Sequence, residues 1–186
     1  DIDTADLQEM VETTLYAVST DDKKPAHTGE LFAIEPEKLT VVALDGYRLA
    51  IIEKPVKAAK EISIIIPAKT LSEVVKLFGE EDGVVHVAAN RRFVVFSNEK
   101  YTVISRLIEG EFLDYKRVIP EGFKTRVTVD VRDFVNTIER ASLIITERLK
   151  NPLRITFDGN ITVRCQTTLG KVVDELPAEM EGESVE

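Results

Sequence analysis

The chain has 186 residues, of which 44% are hydrophobic and 31% charged, and its net charge is −9. This composition is typical of one or two globular domains, and no apolar run approaches the ~20 residues that a membrane-spanning helix needs. One cysteine and two histidines are too few for an internal disulfide or a structural zinc site. No signal peptide is evident, so the cytoplasm is the expected compartment.

A strand followed by an amphipathic helix occurs three times, beginning near Ile2, Ile66 and Val129. Asp3 and Asp130 are suitable N-caps for the first and third helices. Apolar residues recur at helical spacing in each helix. These stripes are Leu7, Met10, Val11, Leu15 and Val18 in the first helix, Leu71, Val74, Val75 and Phe78 in the second, and Phe134, Ile138, Ala141 and Ile145 in the third.

Three strand-like runs follow each helix, separated by turn dipeptides such as Asp45-Gly46 and Asp158-Gly159. The predicted strands are 30–34, 39–44 and 47–52, then 84–89, 93–96 and 101–107, then 153–157, 161–165 and 171–176. Each unit is therefore β-α-β-β-β. Two such units can close a core as one α+β domain, with paired helices on one side and antiparallel sheets on the other.

This pattern divides the chain into two parts. Residues 1–122 supply two units and therefore one complete domain, and residues 123–186 supply one unit, the first half of a second domain. The connection, 109–124, contains Gly110, Pro120 and Gly122, which are typical of a linker.

Three segments carry a resemblance to a known family: STDDKKPAHTG (19–29), TVVALDGYRLA (40–50) and GEFLDYKRVIP (110–120). In this order and at this spacing they resemble the middle domain of the bacterial DNA polymerase III β subunit, the sliding clamp. The resemblance runs over nearly the whole chain. It implies a DNA clamp fold, in which each subunit has three domains of two β-α-β-β-β units and two subunits form a ring around duplex DNA. It also implies a piece that covers the middle domain and half of the third.

The resemblance further implies a pocket for client peptides that typically end in Leu-Phe. In the family, the turn within 44–49 forms one wall of this pocket. The matching residues here are Leu44, Gly46, Tyr47, Arg48 and Leu49, with His27, Leu113 and Val118 at further pocket positions. His27 stands where the family often has an aliphatic residue, and Leu113 replaces a proline. From the residues alone, the alternative is a structural hairpin with a solvated arginine.

Basic residues that match the DNA-facing positions of the family form a second set. They are Lys23, Lys24, Lys69, Lys76, Arg132 and Arg140. Contacts from such residues to phosphates are independent of DNA sequence and weaken with salt. The alternative is a solvated helix face, and the first helix departs from the pattern because it carries Glu9 and Glu12. Leu143 and Ile144 match positions that pack against the neighbouring subunit of the ring.

Two hypotheses follow from these observations. The first is a non-catalytic sliding clamp, a processivity factor that needs no cofactor or metal and binds double-stranded DNA, the replicative polymerase and clamp-loader subunits. The second is an adaptor of the same fold that binds peptides without encircling DNA. An enzyme is not expected, because Asp45, Arg48 and Asp114 show no nucleophile–base pairing, metal-ligand spacing or phosphate-binding loop.

Overall fold

The computed structural model describes residues 1–79, 83–146 and 151–186, which form two compact units, Asp1–Val118 and Ile119–Glu186. The structural boundary lies a few residues before the predicted one, and the division into domains at residue 122 stays a prediction. No helix among the described residues has the length and apolar character needed to cross a membrane.

The first unit contains the β-α-β-β-β pattern twice, as predicted. The first repeat is β1 (Ile2–Asp3), α1 (Thr4–Thr14), β2 (Gly29–Glu35), β3 (Lys38–Leu44) and β4 (Leu49–Pro55). The second repeat is β5 (Ile62–Pro67), α2 (Ala68–Phe78), β6 (Val84–Ala89), β7 (Phe93–Ser97) and β8 (Thr102–Arg106). Short 3-10 helices at Leu15–Ala17, Pro25–His27 and Tyr115–Val118 complete the described elements of this unit.

The second unit contains the third repeat and one additional strand. The repeat is β9 (Thr125–Thr128), α3 (Val131–Ser142), β10 (Arg154–Asp158), β11 (Asn160–Thr167) and β12 (Gly170–Pro177). The additional strand is β13 (Glu179–Gly182), which pairs with β9 and which the sequence pattern does not predict. This short acidic segment has no apolar alternation of its own, so the partner strand determines its conformation.

Side-chain caps fix where two of the helices begin. The Asp3 carboxylate accepts a hydrogen bond from the Ala5 amide at 2.9 Å. The Asp130 carboxylate accepts from the amides of Arg132 and Asp133 at 2.9 and 3.1 Å. These bonds satisfy amides that have no partner within the helix, and each cap stabilises its helix by about 1 kcal/mol. Both predicted caps are confirmed.

The two repeats of the first unit exchange their first strands. The sheets have the orders β4-β3-β2-β5 and β1-β6-β7-β8, so β5 pairs with β2 of the first repeat and β1 pairs with β6 of the second. All of these pairings are antiparallel. Neither repeat completes its sheet without a strand of the other, so the two repeats form one domain.

Helices α1 and α2 pack together and cover the inner faces of the two sheets. The fully buried contacts include Met10 and Val11 from α1, Leu71 and Val74 from α2, and Phe96 from β7. In the second unit, Ala141 of α3 is buried against β11 and β12, in a cluster with Ile161, Val163 and Leu176. Within each unit the helices therefore lie on one side of antiparallel sheets, and the predicted α+β architecture is confirmed.

Candidate functional site

The connection between β3 and β4 is a turn organised by the Asp45 carboxylate. Oδ1 of Asp45 accepts hydrogen bonds from the amides of Tyr47 and Arg48 at 2.9 and 3.2 Å, and the Asp45 amide donates to the Arg48 carbonyl at 3.3 Å. Gly46 has φ +95°, which a residue without a Cβ adopts without strain. The hydrogen bond from the Tyr47 amide, supported by those from Arg48, lowers the pKa of the Asp45 carboxyl.

This turn is longer than the sequence predicted. Strand β4 begins at Leu49, so Tyr47 and Arg48 lie in the turn rather than in the strand. The reason is that the Asp45 carboxylate binds both of their amides. As a result Tyr47 is completely exposed, and the Arg48 side chain is 54% exposed.

The outer face of the sheet β4-β3-β2-β5, opposite the helices, carries a second apolar cluster. Leu31, Val42 and Ile65 are buried there, and we refer to these three residues as the outer cluster. Leu31 is paired with both of the others across the strands, so all three side chains stand on one face. Leu44 and Leu49 are directly paired at the end of the β3–β4 hairpin, and Leu49 packs against the outer cluster.

The segment that follows β8 crosses this outer face. The Ile108 amide donates to the Ile65 carbonyl at 2.9 Å, and the side chains of Ile108, Phe112 and Tyr115 pack on the outer cluster. Tyr115 therefore anchors this segment to the first unit. Leu113 and Val118 belong to the same segment and are 44% and 53% exposed.

His27 lies beside the same segment. Its ring meets the ring of Phe112 edge to face, with the ring centroids 5.7 Å apart. Burial lowers the pKa of His27, and the positive charge of Lys24 adds to the effect. His27 is therefore neutral at physiological pH and behaves as an aromatic surface residue, which suits a position where the resemblance expects an aliphatic side chain.

Taken together, these contacts bring part of the predicted pocket onto one face of the first unit. Leu44 and Leu49 stand at the end of the hairpin, with Gly46, Tyr47 and Arg48 in the turn beyond them. His27 joins this face through Phe112, the neighbour of Leu113. Leu44 itself is buried, at 3% exposure, so it can contribute only to the floor of a pocket.

Tyr16 is a neighbour of this site that sequence reasoning missed. The Arg48 guanidinium lies over the Tyr16 ring, 5.6 Å from its centroid. Tyr16 is 59% exposed and sits in the 3-10 helix after α1, about thirty residues earlier in the chain. No local signal in the sequence indicates this contact, because it depends on how α1 packs against the β3–β4 hairpin.

One cavity of the first unit, with a volume of about 520 Å³, lies away from these residues. It opens beside residues 56–61 and is lined by core side chains that include Leu7, Phe32, Ile64 and Phe96. None of the predicted pocket residues lines this cavity. The outer-face site is therefore an open surface rather than part of this interior space.

The predicted DNA-facing residues differ in how far their charges are engaged. Lys23, Lys24 and Lys69 are exposed, and Lys76 forms a 3.0 Å ion pair with Glu73 on its own helix. In the second unit Arg132 is exposed.

Arg140 is held within its own unit. Its Nε donates to the Asp174 carboxylate at 2.7 Å, and one of its terminal nitrogens donates to the Thr137 hydroxyl. The charge of Arg140 is therefore already balanced.

The acidic face of α1 has a counter-charge that the sequence did not predict. Nζ of Lys54 on β4 lies 2.9 Å from the Asp6 carboxylate and 2.6 Å from the Glu9 carboxylate. The carboxylates of Glu9 and Asp6 raise the pKa of Lys54. Part of the negative charge of this helix is therefore neutralised within the unit.

The predicted subunit-interface residues stand at the end of α3. Leu143 is 81% exposed, whereas Ile144 is half-buried.

Among the residues that the structure describes, no group of three or more His, Cys, Asp or Glu side chains is placed to hold a metal ion.

Comparisons with known proteins agree with this architecture. The family model for the central domain of the DNA polymerase III beta subunit matches residues 1–114. The beta sliding clamp of Halalkalibacterium halodurans is 31% identical over 188 residues, a match that covers 96% of this chain and 49% of that protein.

Two solved structures show the same fold. The DNA polymerase sliding clamp from Bacillus subtilis superposes with a TM-score of 0.94 at 28% identity, over 99% of this chain and 50% of that one. The sliding clamp from Bartonella birtlesii, solved bound to griselimycin, gives a TM-score of 0.89 at 29% identity over 99% and 51% of the two chains. The chain thus spans about half the length of the relatives it matches, and it belongs to the DNA polymerase III beta subunit family, with residues 1–114 corresponding to the central domain.

Proposed function

We propose that this chain is part of a DNA sliding clamp, a processivity factor that encircles duplex DNA and tethers the replicative polymerase. The observation that carries the proposal is the superposition of 99% of the chain on the B. subtilis sliding clamp with a TM-score of 0.94. The mechanism is topological: a closed ring of two subunits does not dissociate from the duplex, so a bound polymerase stays at the primer end. Such a ring acts in the cytoplasm, where bacterial DNA lies.

Client proteins bind at the outer face of the first unit. Leu44 and Leu49 form the floor of the pocket, Leu113 and Val118 supply half-exposed apolar contacts, and Arg48 stands at the rim. A Leu-Phe pair that enters such a surface buries two large side chains, each worth roughly 1.5–3 kcal/mol. Polymerase and clamp-loader subunits compete for this one site through short peptides.

Binding of a fluorescein-labelled peptide that ends in Leu-Phe tests the pocket. Fluorescence anisotropy with the 186-residue chain should give saturable binding, and Arg48→Ala should weaken it. Arg91→Ala is the matched control, because Arg91 is an exposed arginine in a hairpin of the other sheet. Chemical-shift mapping should place the peptide at Leu44 and Val118. Binding that leaves both residues unperturbed would contradict the proposed pocket.

DNA contacts in this proposal come from Lys23, Lys24, Lys69, Lys76, Arg132 and Arg140. They are weak phosphate contacts that allow sliding, so the chain by itself should bind duplex poorly at physiological salt. The protein that contains this chain should stay on nicked circular DNA in high salt and leave when the circle is linearised. Equal loss from both DNA forms would exclude the topological mechanism.

A peptide-binding adaptor that does not encircle DNA is the second candidate. Two contacts favour it: Arg140 is engaged by Asp174, and α1 presents Asp6 and Glu9 with Lys54 as their counter-charge. Both reduce the positive charge available for phosphates. An adaptor would bind the labelled peptide but would not stay on nicked circular DNA in high salt.

A further inference from the structure

Arg48 is oriented before any peptide arrives. Its Nε donates to Oδ2 of Asp45 at 2.9 Å, and Asp45 is itself held by the amides of the turn. The guanidinium carbon of Arg48 lies over the ring of Tyr16, 5.6 Å from the ring centroid. Among the described residues, the two terminal nitrogens of Arg48 have no hydrogen-bond partner, so they are available to an acceptor on a ligand.

Tyr16 is held in place by the packing of its neighbour Ala17. Ala17, Ala43 and Ala50 are buried in one small cluster, which joins the 3-10 helix Leu15–Ala17 to the end of the β3–β4 hairpin. Alanine at all three positions lets the helix approach the strands closely. This close approach brings Tyr16, which precedes Ala17, next to Arg48, which lies two positions before Ala50.

We propose that Tyr16 is a positioning residue of the client-peptide pocket, whose ring holds the Arg48 guanidinium in the orientation that receives a peptide carbonyl or carboxylate. The inference rests on the proposed function of the outer face. Exposed arginine side chains lose considerable rotamer freedom when they bind, and a side chain that is already oriented loses less. Asp45 binds Nε of Arg48 and the Tyr16 ring lies against the guanidinium, which leaves the two terminal nitrogens for an acceptor on the peptide.

The test compares Tyr16→Leu with Tyr16→Phe in the 186-residue chain, each with and without Arg48→Ala. Leucine removes the π face and keeps an apolar side chain, whereas phenylalanine keeps the ring and removes only the hydroxyl. A cation–π contact at an exposed site predicts that Tyr16→Leu weakens binding of the labelled Leu-Phe peptide about two- to fivefold. Tyr16→Phe should bind like the unmodified chain, and Tyr16→Leu should have no further effect once Arg48 is alanine.

Nuclear magnetic resonance distinguishes a direct contact between Tyr16 and Arg48 from a role of Tyr16 in stability alone. The aromatic ring current shifts the Arg48 Nε–H and Cδ–H resonances, so these should move in Tyr16→Leu and keep their positions in Tyr16→Phe. Thermal unfolding of each variant verifies that the fold is retained.

Three results would overturn the inference: unchanged peptide affinity in Tyr16→Leu, an equal loss in the presence and absence of Arg48, or unmoved Arg48 resonances. Failure of the proposed pocket itself would give a different set of results. In that case the unmodified chain does not bind the peptide and Arg48→Ala changes nothing, and the role of Tyr16 in peptide binding is overturned with it.

Discussion

Glu30 makes the stability of the first unit depend on pH. It lies at the start of β2 with no exposed surface, and its Oε2 has no hydrogen-bond partner among the described residues. The Thr14 hydroxyl is 2.9 Å from Oε1 of Glu30 and 2.7 Å from the Met10 carbonyl. The Thr14 hydroxyl donates to Oε1, but this single bond is shared with the Met10 carbonyl, so an ionised Glu30 would be a buried charge with little compensation and the neutral form is favoured.

Burial raises the pKa of Glu30 from 4.5 to about 8, although the hydrogen bond with Thr14 lowers it in part. Between these two values the folded state holds a proton that the unfolded state has released. The free energy of unfolding therefore falls as pH rises, by about 1.4 kcal/mol per pH unit. Over the whole interval the loss approaches about 5 kcal/mol, and it levels off below pH 4.5 and above pH 8.

Glu30→Gln tests this reasoning, because the amide has nearly the same shape and does not titrate. Urea unfolding at pH 5 and pH 7.5 gives the difference in free energy between variant and unmodified chain at each pH. Relative to the unmodified chain, Glu30→Gln should gain about 3 kcal/mol in the free energy of unfolding when the pH rises from 5 to 7.5. Glu37→Gln is the control, since Glu37 is exposed in the β2–β3 turn. A difference that stays constant with pH would refute a buried, neutral Glu30.

Three further predictions concern single substitutions. Gly29→Ala should strongly destabilise the first unit, because the new Cβ would clash with the backbone carbonyl oxygen of Ile66 on β5; a thermal midpoint equal to that of the unmodified chain would count against it. Asp130→Ala should remove the cap of α3 and lower the free energy of unfolding of the second unit by about 1 kcal/mol in urea titrations. Asp174→Asn should release Arg140, so that duplex binding at low salt tightens and its salt dependence steepens by about one phosphate contact. An unchanged salt slope would show that Arg140 does not reach DNA.

The sequence by itself determined the three repeats and the local structure within them. Helical spacing of apolar residues, the capping carboxylates of Asp3 and Asp130, and turn dipeptides act within a few residues, so they can be interpreted without knowledge of the fold. Strand alternation likewise places Cys165 on the same face as Ile161 and Val163, and all three are buried. The resemblance added the pocket residues by position, without their contacts.

Tertiary structure alone decided which distant segments meet. The exchange of β1 and β5 between repeats, the pairing of β13 with β9, and the placement of Tyr16 against Arg48 each join residues far apart in sequence. None of these has a local signal, because strand pairing depends on which edges are free and side-chain contacts depend on how helices pack on sheets. The same reason explains why Arg140 was predicted to face DNA while its partner Asp174 was not foreseen: charges on α3 and β12 become neighbours only when the helix packs on its sheet.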